Sequence, residues 1–441
     1  MMRTVLCALL GLGVVAAVPD YFANRELLKV TGDDFDGKLI FLQALWRHGD
    51  RTPTQQFPTD KNVWPQGLGQ LTVTGMKDHL ILGEKLRQRY VNTVPFVSKR
   101  YVSSEIYVHS TDVNRTLTSA ISNMIGFYRD AEAEKDFPSD SRWPQGFVPV
   151  PVHTEDFHRD FMGNVDRPCP RTKALLNLLR ESPQYKKLVE EHADFLANLT
   201  VISGMKVTLE NLYVLNDDLF ITRKYKLPLP EGFTDEVCEQ IKEISDVLDN
   251  AVYGIGFAPY KDVDLSLEMA KVKGGPLLWG MIERMQQKVL CATKNAKDRT
   301  KEENGICRWI EPMKYHVYSA HDTTLSGLFS TFGFNQTNYN QSGFPDYASA
   351  VTLELREKDG KHFVKVLFWP PNDGENFQDI TAEVRGCSEN CSLDEFIKRS
   401  QPYRIEDPSE LCQNDQLTRS AAAASISMLL MLISAALSYL K

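Results

Sequence analysis

A histidine set between two arginines is the most reactive pattern in this chain. Arg47-His48-Gly49-Asp50-Arg51-Thr52-Pro53 places a guanidinium on each side of an imidazole. Guanidiniums are permanently charged, planar and forked, so a pair of them can grip the oxygens of a tetrahedral anion. An imidazole between them can attack phosphorus and carry the phosphoryl group on its own ring nitrogen, which splits one displacement into two. Gly49 permits close backbone approach. His321-Asp322 adds a second imidazole, suited to binding phosphoryl oxygens, and a carboxyl suited to protonating a departing alcohol. His109-Ser110 forms a third polar cluster.

Each cluster follows a segment with strand character. Lys38 to Trp46 is almost continuously apolar and empties into the arginine–histidine motif. That is the pattern of a buried parallel strand with a polar loop at its carboxyl end. Glu105 to Val108 and Tyr315 to His321 end in the same manner. Leu71 to Tyr90 and Leu117 to Tyr128 read as helices, the latter behind the capping cluster Ser110-Thr111-Asp112. Strand, loop and helix thus occur twice, which predicts an α/β sheet. In such sheets ligands bind beyond the carboxyl ends of the strands, where all three clusters fall.

The region 161–312 is rich in Leu, Glu and Lys at helical spacing, as in Thr172 to Leu199 and Glu236 to Val252. It predicts a smaller helical domain inserted into the α/β domain, whose two parts are then 19–160 and 313–412. The runs Ala350 to Leu355 and His362 to Trp369 flank Lys358-Asp359-Gly360, a hairpin signal. The fold class expected is therefore a mixed, mainly parallel sheet flanked by helices, with a helical insertion. His79, His153, His158, His192, His316 and His362 are read as structural. Arg115 is read evenly as a helix-surface cation or a support near the pocket.

The chain has 441 residues, with 58 acidic against 50 basic, a net charge of −8. Hydrophobic residues make up 42% and charged residues 24%, a globular balance that excludes a disordered chain and a multi-span membrane protein. No basic field suits a nucleic-acid backbone, so no nucleic-acid partner is expected. An anionic substrate must be held by a few local cations. Residues 1–18, with a charged start, a short apolar run and small residues before Pro19, read as a secretory signal cleaved near Ala17 or Val18. Residues 413–420 form a polar spacer, and 421–440 carry no charge. That layout fits a single membrane span and a glycolipid-anchor signal equally.

Secretion implies oxidising conditions. Seven cysteines remain after the signal, so at least one thiol is free or paired between chains. The close spacing of Cys387 and Cys391 suggests a local bridge. No cysteine or histidine cluster has zinc spacing, so no metal site is expected. Asn198, Asn335 and Asn340 are the expected glycan acceptors, whereas Asn114 and Asn390 are expected to be poorly used.

The motif at 47–53 and His321-Asp322 resemble the histidine acid phosphatases, most closely the prostatic and lysosomal type. Trp64-Pro-Gln-Gly-Leu-Gly-Gln-Leu-Thr72, Ser110-Thr-Asp-Val-Asn-Arg-Thr-Leu117 and Tyr318-Ser-Ala-His-Asp-Thr-Thr324 resemble family segments too. The resemblance covers about Lys38 to Cys412. It implies hydrolysis of phosphate monoesters at acid pH without a cofactor, with His48 as nucleophile and Asp322 as proton donor. Arg47, Arg51 and His321 are then phosphate ligands, and a homodimer is common in the family. Cys169 with Cys412 and Cys387 with Cys391 match family disulfides, Cys291 with Cys307 is the third pair expected, and Cys238 is left over. The resemblance also assigns a phosphate-binding arginine to the position of His109. A histidine there, charged only in acid, implies a slower enzyme, a steeper acid dependence, or a surface protein with a retained binding site, and His109→Arg is expected to raise turnover. A phosphomutase is disfavoured for a secreted chain, and a phytase for want of extra cations.

Overall fold

The computed structural model describes residues 37–372 and 376–417. The expected signal segment and the apolar segment 421–440 lie outside them. Among the described residues no helix is long and apolar enough to cross a membrane. The first part of the chain runs β1 (Lys38–Arg47), α1 (Val73–Arg87), β2 (Ile106–Thr111), α2 (Asn114–Phe127) and β3 (Val152–Glu155). Seven helices follow: α3 (Pro170–Glu181), α4 (Pro183–Glu191), α5 (Ala193–Ser203), α6 (Leu212–Lys224), α7 (Asp235–Ala251), α8 (Leu265–Thr293) and α9 (Lys301–Ile310). The chain then returns to the sheet through β4 (Tyr315–Ala320), α10 (Asp322–Phe332), β5 (Ala350–Lys358), β6 (Lys361–Trp369) and β7 (Gln378–Asp379), and ends in α11 (Leu393–Ser400) and α12 (Pro408–Gln413).

The seven strands lie in the order β3-β2-β4-β1-β5-β6-β7. β3, β2, β4 and β1 are mutually parallel, while β5, β6 and β7 each run antiparallel to the neighbour before them. The apolar run of β1 is explained by two-sided burial. Leu42, Ala44 and Trp46 pack with Leu82 and Leu86 of α1 and Met124 of α2. Phe41 and Leu45 face the other way, toward Leu277 and Leu278 of α8 and Leu325 and Leu328 of α10. Trp46 is fully buried, and its indole donates to Ser319 Oγ at 2.8 Å, which locks β1 to β4 one residue before the arginine–histidine motif. Truncating it to alanine would cost about 3–5 kcal/mol.

The stretch Thr172 to Leu199, read as helical, forms parts of three successive helices. Pro183 removes an amide donor and forces Ser182 into extended backbone (ψ 146°), whose hydroxyl then caps α4 by accepting from the Tyr185 amide. The region 161–312 is helical but not one packing unit. Helices α3, α5, α6 and α7 share a core with Phe57, Leu265 and Met269. α8 leaves that core after its first turns, and its Leu277, Met281 and Met285 belong to the sheet's core, as do Cys307 and Ile310 of α9. Disulfides join Cys169 to Cys412, Cys291 to Cys307 and Cys387 to Cys391, and Cys238 is buried as a free thiol. Asn198, Asn335 and Asn340 are exposed.

Candidate active site

The ends of β1, β4 and β2 are level, because Arg47 pairs with Ala320 and Ser110 with Ser319. The loops that follow therefore meet at one rim. The His48 amide donates to Ala320 O at 3.0 Å, so the chain is still tethered to the sheet where the imidazole begins. Gly49 presses on Gly75 at the start of α1: a Cβ on Gly49 would lie 2.2 Å from the Gly75 carbonyl oxygen. No side chain fits there. The 64–72 segment braces the motif from outside, with the Thr52 amide donating to Gln70 O at 3.0 Å and the Gly69 amide to Pro53 O at 2.7 Å. Asp50 turns away from the rim and accepts from Thr72 at 2.6 Å and Lys224 at 2.5 Å, tying the motif to α1 and α6.

His48 is 2% exposed. Its Nδ1 lies 2.8 Å from Gly49 O, an acceptor, so Nδ1 carries the hydrogen and Nε2 keeps a lone pair. Burial, then the charges of Arg115, Arg47 and Arg51, hold this imidazole well below the usual histidine range. That shift favours the neutral ring, whose Nε2 lone pair can act as a nucleophile.

Arg51 is gripped by both oxygens of Asp217 on α6, at 2.9 and 2.8 Å. Burial opposes its charge, but Tyr347 and Asp217 outweigh that and hold it above the usual arginine range. Arg47 pairs with Asp322 at 2.8 Å, donates to Pro345 O at 2.5 Å and stacks 4.2 Å over the Tyr347 ring. Asp322 opens α10. Burial works against its ionisation, yet Arg47 and then Arg51 outweigh it and hold the carboxyl below the usual range. His321 meets His48 edge-on with ring centroids 5.7 Å apart. Burial, then Arg115, pushes it down to about 3. It is therefore a neutral partner, bonded through Nε2 to Thr111 Oγ1 at 3.0 Å.

The third guanidinium is Arg115, not the position expected from the resemblance. It lies in the first turn of α2 with Nη2 3.5 Å from His321 Nδ1, and it is the largest single charge acting on His48. Burial, then Arg51, lowers it to about 10, so it remains a cation in acid. Its helix and α10 both present their N-terminal ends to this rim, a favourable setting for an anion. His109 is elsewhere. It sits on β2 two residues behind Thr111, its Nε2 3.6 Å from the buried Asp160 carboxylate and its ring 5.6 Å from that of Tyr318. The charges acting on His48, His321 and Asp322 come from the arginines and from one another, whereas His109 acts on His316, deeper in the sheet. His109 is thus not brought together with the arginines.

Above the rim is a cavity of 810 Å³, floored by Arg47, Arg51 and Asp322 and walled by α6, α7 and the loop carrying Tyr347. Asp217 and Tyr347 escape sequence reasoning. The only trace is Asp217-Asp218, two acids inside an otherwise apolar stretch of helix. His79, read as structural, is fully buried and bonded to Arg47 O at 3.0 Å.

The chain is similar to known proteins. Residues 38–369 match the model of the histidine phosphatase superfamily, branch 2. The chain is 32% identical over 380 residues to the lysosomal acid phosphatase of Bos taurus, spanning 85% of this chain and 80% of that one. It is 30% identical over 390 residues to the prostatic acid phosphatase of Bos taurus, covering 86% and 90%. Among solved structures, the apo phytase of Hafnia alvei superposes with a TM-score of 0.56 over 85% of this chain and 98% of its own, at 13% identity, which speaks to the fold. A family model spanning most of the chain, and relatives at this identity along most of its length, make it a member of the histidine phosphatase superfamily, branch 2.

Proposed function

We propose that this protein is an acid phosphatase that hydrolyses small phosphate monoesters through a phosphohistidine on His48. The observation that carries the reading is a buried, neutral imidazole whose Nδ1 is fixed by Gly49 O and whose Nε2 is free, ringed by Arg47, Arg51 and Arg115. The arginines hold the phosphoryl oxygens. Nε2 attacks phosphorus, the P–O ester bond breaks, and the departing alkoxide takes the proton of Asp322. Water then attacks phosphorus and gives a proton to Asp322, the Nε2–P bond breaks to return the neutral imidazole, and phosphate leaves. Asp322 is held ionised by Arg47 in the free site, so the proton must arrive with the substrate. An incoming phosphate shares the arginine charge, which raises the carboxyl's affinity for a proton. Acid solution favours that uptake while His48 stays unprotonated, and both requirements point to catalysis below neutrality.

The weaker alternative, a slow or non-catalytic phosphatase-like surface protein, rests on His109; the third guanidinium that Arg115 brings to the rim favours the active enzyme. The reading includes a secretory-pathway location and membrane attachment through 421–440. Release of phosphate from p-nitrophenyl phosphate at about pH 5, without added metal, tests it. The wild type should turn over, His48→Ala should not, and labelled ester quenched in acid should leave its label on His48. Turnover with no labelled histidine sinks the mechanism.

A further inference from the structure

The charged side chains of the cavity mostly cancel in pairs: Arg47 with Asp322, Arg51 with Asp217, and Lys242 with Asp246 at 2.6 Å. Lys273 departs from this pattern. It lies on α8, is only 6% exposed, and opens onto the cavity wall. Among the described residues its ammonium makes no hydrogen bond or ion pair, and its close contact is the Tyr253 ring, 4.6 Å from Nζ to centroid. Tyr253 in turn donates through its hydroxyl to Thr323 O at 2.5 Å, next to Asp322. Asp166, the carboxylate whose charge Lys273 feels, is engaged by Thr323 Oγ1 at 2.8 Å.

A buried ammonium without an anion is unusual, since desolvation penalises it and lysine is almost never fully buried unless paired. The aromatic face offsets part of that cost. The charge of Asp166 offsets a further part, and an anion entering the cavity would supply the direct partner that the ammonium lacks. We propose that Lys273 is a specificity-determining residue that receives a carboxylate on the alcohol part of the substrate, so that the preferred esters are phosphorylated hydroxy acids. The proposal rests on the phosphatase reading and deepens it. A single negative charge suits the site better than several. Asp166 and Asp346 share the same cavity wall and would repel a polyphosphorylated alcohol.

The test compares 3-phosphoglycerate with glycerol 3-phosphate, which replaces the carboxylate by a hydroxymethyl group. In the full-length protein at about pH 5, where both the carboxylate and Lys273 are charged, kcat/KM should favour 3-phosphoglycerate. Lys273→Met should reduce the ratio of the two kcat/KM values by about tenfold, the scale of a hydrogen bond to a charged group, mainly through KM. Lys273→Arg should keep most of the preference. A wild type without preference overturns the proposal. So does a Lys273→Met protein with an unchanged ratio whose circular dichroism matches that of the folded wild type. If wild type hydrolyses neither ester nor p-nitrophenyl phosphate, the phosphatase reading itself fails, whereas hydrolysis of p-nitrophenyl phosphate alone leaves that reading standing. Calorimetric titration with the same two compounds then decides the role of Lys273: tighter wild-type binding of 3-phosphoglycerate, lost in Lys273→Met, supports it, and equal binding overturns it.

Discussion

Arg115→Met removes a guanidinium that lies 3.5 Å from His321 and exerts the largest charge effect on His48, while keeping most of the aliphatic stem. Two consequences follow from its position. The transition state loses one of three cationic contacts to the phosphoryl group. By analogy with the loss of an oxyanion-hole donor, that is about 2–4 kcal/mol, or about 30- to 1000-fold in kcat/KM. The second consequence concerns pH. Arg115 helps to hold the His48 imidazole below its usual range, so its removal lets that pKa rise. Catalysis requires the neutral imidazole and fails as pH falls through the folded pKa, so the acid limb of the profile must move to higher pH. The assay is kcat/KM for p-nitrophenyl phosphate between about pH 3.5 and 7, with Arg115→Lys as a partial rescue of charge. His109→Arg serves as the contrasting variant. It should not raise turnover, because position 109 faces Asp160 and Tyr318. An Arg115→Met enzyme within threefold of wild type, with an unmoved acid limb, would refute the assignment. A gain in turnover from His109→Arg would restore the arginine position suggested by the family resemblance.

Asp217→Asn keeps the shape of the partner of Arg51 but not its charge; kcat/KM at pH 5 should fall by about tenfold, and wild-type values would show that Arg51 needs no anchoring from the helical insertion. Stability should fall in acid: His79 and His321 are buried with pKa values down to about 3, so below about 6.5 the unfolded chain takes up protons that the folded one refuses. Each then costs about 2 kcal/mol at pH 5 relative to pH 7, and identical urea midpoints at the two pH values would contradict this. Replacing Cys291 and Cys307 by serine opens the link between α8 and α9 across a sequence separation of 16; a loss of about 3 kcal/mol is expected, and an unchanged melting temperature would show that the helix contacts suffice.

Features that are local or periodic were legible in the linear chain. The unbroken apolar run of β1 required cover on two faces, and the structure supplies α1 and α2 on one side and α8 and α10 on the other. Lys358-Asp359-Gly360 marked the β5–β6 hairpin, with Asp359 and Gly360 at φ 52° and 73°. The motif at 47–51 announced its chemistry because both guanidiniums and the imidazole lie within one turn of chain. His109 and Arg115 were not separable in this way. Both border the end of β2, and spacing alone does not say which one the chain folds back over the rim. The strand stops at Thr111 and α2 starts at Asn114, so the first helical turn swings Arg115 across the strand ends, while His109 stays behind Thr111 on the sheet's flank. Asp217 reaches Arg51 across 166 residues, and Lys273 meets the cavity only because α8 runs beneath it. A strand's ending and the arginine–histidine–arginine triplet are written in neighbouring residues. The charges that act on the triplet, and the wall of the cavity above it, depend on which distant helices pack against it, and that is decided by burial of apolar surface across the whole fold.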